Sequence, residues 1–395
     1  MPSRAQAFLL SFFGLVSSNV VEDVTHLRGS HEALAARQER NADDTTWWQQ
    51  DRMLKPATVC PYPDSTNLSP VRSGQYGSST GDCFYMYWDP AKCNMKKKCP
   101  LYVYVDGTTS GEDIDDRDTA FMKEMASRGY VAVTADYDDS ALGYTDGCQG
   151  FESKSQKIFD DSMFGSVLYQ LCQDDNNKFG HRDDVPVECN KGVAVNGYSQ
   201  GSHVSALAGN FSPFVTAGLF WGNGIRGTYC TMKHPMCSVC ASKDVPCMNS
   251  NEIDLSKEKR RYISGEKDSY FGACDNWFGR NYRNNVINQL RAVSGTSCPY
   301  AQNDCFSSNQ NKAGYYVAPG QGHGFMDVTP GSFFMNAYNP WGLPQNFDWL
   351  AKEARVMHSD DRSNSYTGTT FPTSPVTRPP TSAPTVRKRS WWKWW

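Results

Sequence analysis

Between residues 101 and 317 short, largely apolar runs alternate with stretches of helical pattern. The runs are Leu101–Val105, Tyr130–Thr134, Gly192–Asn196, Phe214–Phe220, Arg261–Ile263 and Tyr315–Val317. A strand with one wet face reads as apolar, polar, apolar; a run that stays largely apolar without that alternation has both faces covered. The intervening stretches are helical in period. Thr119–Arg128 places Phe121, Met122, Met125 and Ala126 on one side. Lys157–Cys172 spaces Ile158, Phe159, Met163, Val167 and Leu171 by three to five. Strands that alternate with helices in this way predict an α/β domain, with a mostly parallel central sheet and helices on both faces. In such a sheet a ligand site lies beyond the carboxyl ends of the strands, so the residues that follow each strand matter most.

The 14 cysteines outline the same domain, because all of them lie between Cys60 and Cys305. An even number in a chain of this kind points to an oxidising destination and a disulfide-stapled fold. Cys172 with Cys189 and Cys298 with Cys305 are candidate local loops. Cys230, Cys237, Cys240 and Cys247 form a cysteine-rich insertion. Zinc is one reading of its C-x-x-C centre, and disulfides are the expected one in a secreted chain. The insertion is expected to form a stapled lid or wall, with Trp221 just before it as a substrate-lining residue.

Outside this region the chain changes character. Residues 1–18 read as a secretion signal: Arg4, then the apolar stretch Ala5–Val16, then small residues at Val16-Ser17-Ser18. The alternative is an uncleaved anchor, for which the run is short. Residues 19–59 read as a polar leader, residues 60–360 as the folded domain, and residues 361–395 as a Thr/Ser/Pro-rich linker with a basic, Trp-rich end. Linker composition of that kind cannot bury a core. The end, Trp391-Trp392-Lys393-Trp394-Trp395, fits contact with a membrane surface or with polysaccharide, or an unstructured terminus. Asn67-Leu68-Ser69 and Asn210-Phe211-Ser212 are glycosylation sequons, and Pro213 disfavours the second. The 39 basic and 42 acidic residues give a net charge of −3, without the basic excess that a nucleic-acid surface requires.

Gly-x-Ser-x-Gly occurs twice. Gly77-Ser78-Ser79-Thr80-Gly81 follows no strand and reads as a loop. Gly197-Tyr198-Ser199-Gln200-Gly201 follows the run ending at Asn196 and precedes a small-residue stretch, Ser202–Ala208. That is the strand, sharp turn and helix of a nucleophile elbow. A serine nucleophile needs a base, and the base needs an orienting carboxylate. Of the seven histidines, His323 alone follows the last strand, in Gly320-Gln321-Gly322-His323-Gly324. His203 lies along the elbow helix and is expected to point away from the site mouth. The acid should follow the strand before His323, which makes Asp268 the first choice and Glu266 the second. Two backbone amides should receive a developing oxyanion: that of Gln200 and, after Leu101–Val105, that of Thr108.

With these residues in order, the stretch from about Phe84 to Met357 resembles the α/β-hydrolase superfamily. Its elbow is similar to those of cutinases and related polyester or acetyl esterases. Spacing and size resemble the dienelactone-hydrolase and secreted feruloyl- or acetyl-esterase branches. The resemblance implies a secreted serine hydrolase that cleaves carboxylic esters through an acyl-enzyme, with no cofactor and no metal. A peptidase or acyltransferase on the same fold, or a non-catalytic surface module, are the alternatives. Two features depart from the pattern. Asp106 stands where many esterases carry a histidine, and the insertion Cys230–Cys247 has no counterpart.

Overall fold

The computed structural model describes residues 60, 72–76, 82–108, 116–137, 147–173, 184–229, 241–268, 270, 282–307 and 312–356. The signal, leader and tail, Ser79, Asn67, Cys230, Cys237 and Cys240 lie outside the described residues.

Among the described residues nine strands form one sheet. In chain order they are β1 (Arg72–Gln75), β2 (Cys83–Tyr87), β3 (Leu101–Val105), β4 (Val131–Ala135), β5 (Val193–Tyr198), β6 (Val215–Trp221), β9 (Arg260–Gly265), β10 (Asp304–Phe306) and β11 (Gly314–Ala318). A separate hairpin pairs β7 (Arg226–Tyr229) with β8 (Ala241–Asp244). The order across the sheet is β1-β2-β4-β3-β5-β6-β9-β11-β10. From β4 to β11 every neighbouring pair is parallel. β2 and β10 run against this direction.

The helices are α1 (Asp116–Ser127), α2 (Cys148–Phe159), α3 (Gln200–Ala206), α4 (Tyr282–Ser294) and α5 (Leu343–Ala354). They cover both faces, because the central strands are apolar on both. Leu101, Val103 and Val105 of β3, with Val193 and Val195 of β5, join the core under α2, α3 and α4. Tyr102, Tyr104 and Ala194 point the other way, into the core under α1 and α5. All of these residues are 0% exposed, so the continuous runs arise from burial on both faces. At roughly 25 cal/mol per Å² of apolar surface removed from water, these two layers supply the main driving force for the fold.

One helix differs from the sequence expectation. Lys157–Cys172 is not continuous: α2 ends at Phe159, and a short wide turn follows at Tyr169–Gln173. Asp160 is the cause. Its Oδ1 accepts from the Ser162 and Met163 amides and from the Ser162 hydroxyl. This local turn competes with the helical ladder and wins. Apolar spacing persists through the break because both pieces bury side chains on the same core.

Five disulfides are described: Cys60–Cys83, Cys93–Cys99, Cys148–Cys247, Cys172–Cys189 and Cys298–Cys305. The two expected local loops are among them. Cys247, by contrast, does not close the insertion on itself. It bonds Cys148 at the start of α2, across 99 residues of chain. The insertion is therefore fastened at its far end to the helix that packs against the elbow. Asn210 is also committed. Its side-chain nitrogen donates to the Glu252 carbonyl and its oxygen accepts from the Asp254 amide.

Candidate active site

The carboxyl ends of β3, β5, β6, β9 and β11 meet at one edge of the sheet. At the end of β5 the chain reverses into α3 through Ser199, whose φ of 52° and ψ of −118° lie outside the usual region for a residue with a Cβ. Strain of this kind costs about 1–3 kcal/mol and persists where the surroundings enforce it. Here the enforcement is visible. The Ser199 amide donates to the Trp221 carbonyl at 2.8 Å. A Cβ on Gly201 would lie 2.0 Å from the Asp106 carbonyl oxygen, and one on Gly197 2.3 Å from the Gly201 oxygen. Both motif glycines are thus required by close backbone approach.

The turn presents Ser199 Oγ to His323. The hydroxyl lies 2.8 Å from Nε2, and Nδ1 of the same ring lies 2.8 Å from Asp268 Oδ2. With Nδ1–H donating to Asp268, Nε2 can accept the hydrogen of the Ser199 hydroxyl. Asp268 is fully buried, and its Oδ1 accepts from the Tyr270 amide at 2.9 Å. The first-choice acid, the histidine and the elbow serine therefore stand in one hydrogen-bonded chain.

Glu266 does something different. Its Oε2 accepts from the Gly320 amide at 2.6 Å and its Oε1 faces Arg283 Nη1 at 3.2 Å. The Glu266 amide donates to the Ala318 carbonyl and the Lys267 amide to that of Gln321. The turn after β9 thus grips the loop that carries His323. Gly222, after β6, closes the other side. Its φ is +60°, and a Cβ there would lie 2.8 Å from His323 Cε1, so only glycine lets the ring in.

The loop after β3 is tied to the elbow through Gln200. Its buried side-chain oxygen accepts from the Thr108 hydroxyl at 3.3 Å and the Tyr137 hydroxyl at 3.1 Å. Gly107 lies against Ser199, since a Cβ on it would be 2.9 Å from that of Ser199. The Gly107 amide donates to Asp106 Oδ1, which also accepts from the Tyr104 hydroxyl. Arg117 faces Asp106 Oδ2 at 3.4 Å and lies 4.5 Å over the Tyr198 ring. Asp106, in the place of the expected histidine, is thus an anchor for its own loop. Burial above all holds the Tyr198 phenol well above its ordinary pKa, so it stays a neutral donor, and it donates to the His323 carbonyl at 3.3 Å.

Trp221 does not line the site as expected. Its ring is fully buried, packs on Phe325 and Phe334, and donates from Nε1 to Asn196 Oδ1 at 2.8 Å. Strand alternation places it with Ala217 and Leu219 in the core under α5. Only its backbone carbonyl serves the site, by holding the Ser199 amide. Tyr137 and Tyr270 were missed. Tyr137 comes two residues after the last of β4 and Tyr270 two after Asp268, so a scan of every strand end would have reached both.

His203 packs against the backbone of the elbow. It is fully buried, stacks on Phe151 with ring centroids 4.9 Å apart, and places its two nitrogens 2.9 Å from the Ser199 and Gly224 carbonyls. Burial pushes its pKa down to about 4; the two carbonyls oppose that shift and the charge on His323 adds to it. The imidazole is therefore neutral when folded, whereas in the unfolded chain it titrates near 6.5. Below that value the unfolded state takes up a proton that the native state refuses. The stability is complete above pH 6.5 and declines as pH falls toward 4. In urea titrations, wild type should lose roughly 3 kcal/mol relative to His203→Gln between pH 7 and pH 4. Parallel pH profiles for the two proteins would remove His203 as the source.

A strained serine on a strand-to-helix turn, followed along the chain by a buried aspartate and then a histidine on the edge of a mostly parallel sheet, defines the α/β-hydrolase arrangement. This chain is similar to several solved structures. A dienelactone hydrolase described as putative, from Klebsiella pneumoniae subsp. pneumoniae, is 14% identical over 72% of this chain and 100% of its own, with a TM-score of 0.40. A cold-adapted esterase from an Arctic intertidal metagenomic library is 11% identical over 74% and 99%, with a TM-score of 0.41. An esterase from Thermogutta terrifontis is 13% identical over 73% and 94%, with a TM-score of 0.41. No protein-family model and no curated protein matches the sequence.

Proposed function

We propose that this chain is a secreted serine hydrolase that cleaves carboxylic esters through an acyl-enzyme. The observation that carries the reading is the continuous hydrogen-bonded chain Asp268–His323–Ser199, with both heavy-atom distances at 2.8 Å. Ser199 Oγ attacks the ester carbonyl as His323 Nε2 takes its proton. The tetrahedral intermediate collapses, and the imidazolium gives that proton to the departing alcohol. Water, deprotonated by the same nitrogen, then frees the acid and restores the serine. Asp268 keeps Nδ1 protonated and stabilises the imidazolium.

The oxyanion falls to the amides of Gln200 and Thr108. The Gly107 amide is already spent on Asp106 Oδ1, which leaves Thr108 as the next donor of that loop. The Thr108 and Tyr137 contacts to Gln200 hold the two segments together before substrate arrives. Preorganised donors of this kind are worth about 10²–10³ in turnover each. Secretion is supported by the signal-like start and by the disulfides, which persist in oxidising compartments.

A fluorophosphonate probe tests the reading. Folded wild type should be labelled at Ser199, and Ser199→Ala should not be labelled at all. Absence of label on folded wild type would leave a non-catalytic module. Labelled protein that cleaves peptides and spares esters would make it a peptidase.

A further inference from the structure

We propose that Tyr270 is a specificity-determining residue that selects esters of aromatic alcohols. The inference rests on the ester-hydrolase reading above and assigns the side of the site that receives the alcohol.

Two described aromatic residues pack on His323. Tyr198 packs at 5.1 Å between ring centroids and is fixed from behind by Arg117 and by its own hydrogen bond to the His323 carbonyl. Tyr270 packs closer, at 4.4 Å with the rings tilted by 46°, and the residue remains 44% exposed. Of the two rings, Tyr270 is the one that offers surface to an incoming molecule. Its place is set by backbone, since the Tyr270 amide donates to Asp268 Oδ1 at 2.9 Å. The ring is thus held beside the imidazole by the same carboxylate that orients the imidazole.

Reaction geometry decides which part of a substrate meets that ring. Nε2 must come within hydrogen-bond distance of the leaving oxygen to protonate it, so the alcohol lies against His323. The carbonyl oxygen turns the other way, toward Gly107, Thr108 and Gln200. A group on the rim of the imidazole therefore borders the alcohol. Tyrosine offers a flat, weakly polar face on which an aromatic ring packs offset or edge-on, an attraction that an alkyl group of equal area does not receive.

The test compares benzyl acetate with ethyl acetate, which share an acyl group and have alcohols of similar acidity. The readout is the ratio of their kcat/KM values, in which intrinsic reactivity cancels between proteins. Tyr270→Ala should lower the benzyl-to-ethyl ratio about tenfold, mainly through KM for the benzyl ester. Tyr270→Phe should hold the wild-type ratio, because the ring does the selecting. Tyr270→Leu keeps apolar volume without the aromatic face and should also lose the preference, which covers the case of an unfolded alanine variant. All three keep the backbone amide on Asp268, so a purely positioning role would depress both esters alike. An unchanged ratio in Tyr270→Ala or Tyr270→Leu, with turnover still abolished by Ser199→Ala, would overturn this inference and leave the ester-hydrolase reading standing. Failure of wild type to cleave either ester in a Ser199-dependent way would overturn both.

Discussion

Ser199→Ala and His323→Ala should each lower kcat by about 10⁶, and the double variant should fall no further. In the proposed mechanism the two groups act on one proton, so removal of either leaves nothing for the other to do. Ser199 Oγ at 2.8 Å is the hydroxyl that Nε2 faces. The other histidine near the elbow offers no substitute, because His203 is fully buried with both nitrogens turned to carbonyls. Residual rate above water, about 10³–10⁴, should survive in all three variants from the oxyanion amides and from binding. The measurement is steady-state turnover on an activated ester, with folding checked by circular dichroism. Ser79→Ala, which alters the other Gly-x-Ser-x-Gly, should keep wild-type turnover. Losses for Ser199 and His323 that multiply in the double variant would mean that the two residues act in separate steps and would break the triad assignment.

How much of this was readable in advance depends on what fixes each feature. The central strands were legible because burial on both faces removes polar residues from Leu101–Val105 and Val193–Val195. The hydrogen-bonded chain Ser199–His323–Asp268 was legible because each member follows a parallel strand of the sheet, β5, β11 and β9. Helix α5 carried its own signals, with Pro344 in its first turn and Leu343, Phe347, Leu350 and Ala354 buried on one side, and could have been read. The break after Phe159 could not be read from period, because Asp160 ends α2 while the apolar spacing runs on. The partner of Cys247 was equally hidden. Cys148 is 99 residues away, and nothing local selects it over the nearer cysteines. Trp221 was misplaced for a simpler reason: strand-end position says that a residue is near the site, and only the two-residue alternation says which way it points.

Asp268→Asn should lower kcat by about 10⁴, while Glu266→Gln should cost no more than about tenfold. Both carboxylates follow β9, and sequence alone left either able to serve His323. Their surroundings separate them. Asp268 has one oxygen on His323 Nδ1 and the other on the Tyr270 amide. Asparagine has a single side-chain oxygen, and the Tyr270 N–H claims it, because the alternative flip would set two donors face to face. The amide NH₂ then faces the imidazole and forces Nδ1 to accept. The proton moves to Nε2, where it meets Ser199 Oγ and can no longer receive the serine proton. The geometry survives and the tautomer is wrong. The Glu266 carboxylate is engaged elsewhere. It holds the Gly320 amide with one oxygen and faces Arg283 with the other, so it steadies the loop. Glutamine preserves an acceptor for Gly320 and gives up only a charge pair at a partly exposed position, where such pairs contribute about 0–1 kcal/mol. Turnover of the two variants on one activated ester decides the matter. A loss of about 10⁴ in Glu266→Gln, with Asp268→Asn near wild type, would transfer the orienting role to Glu266.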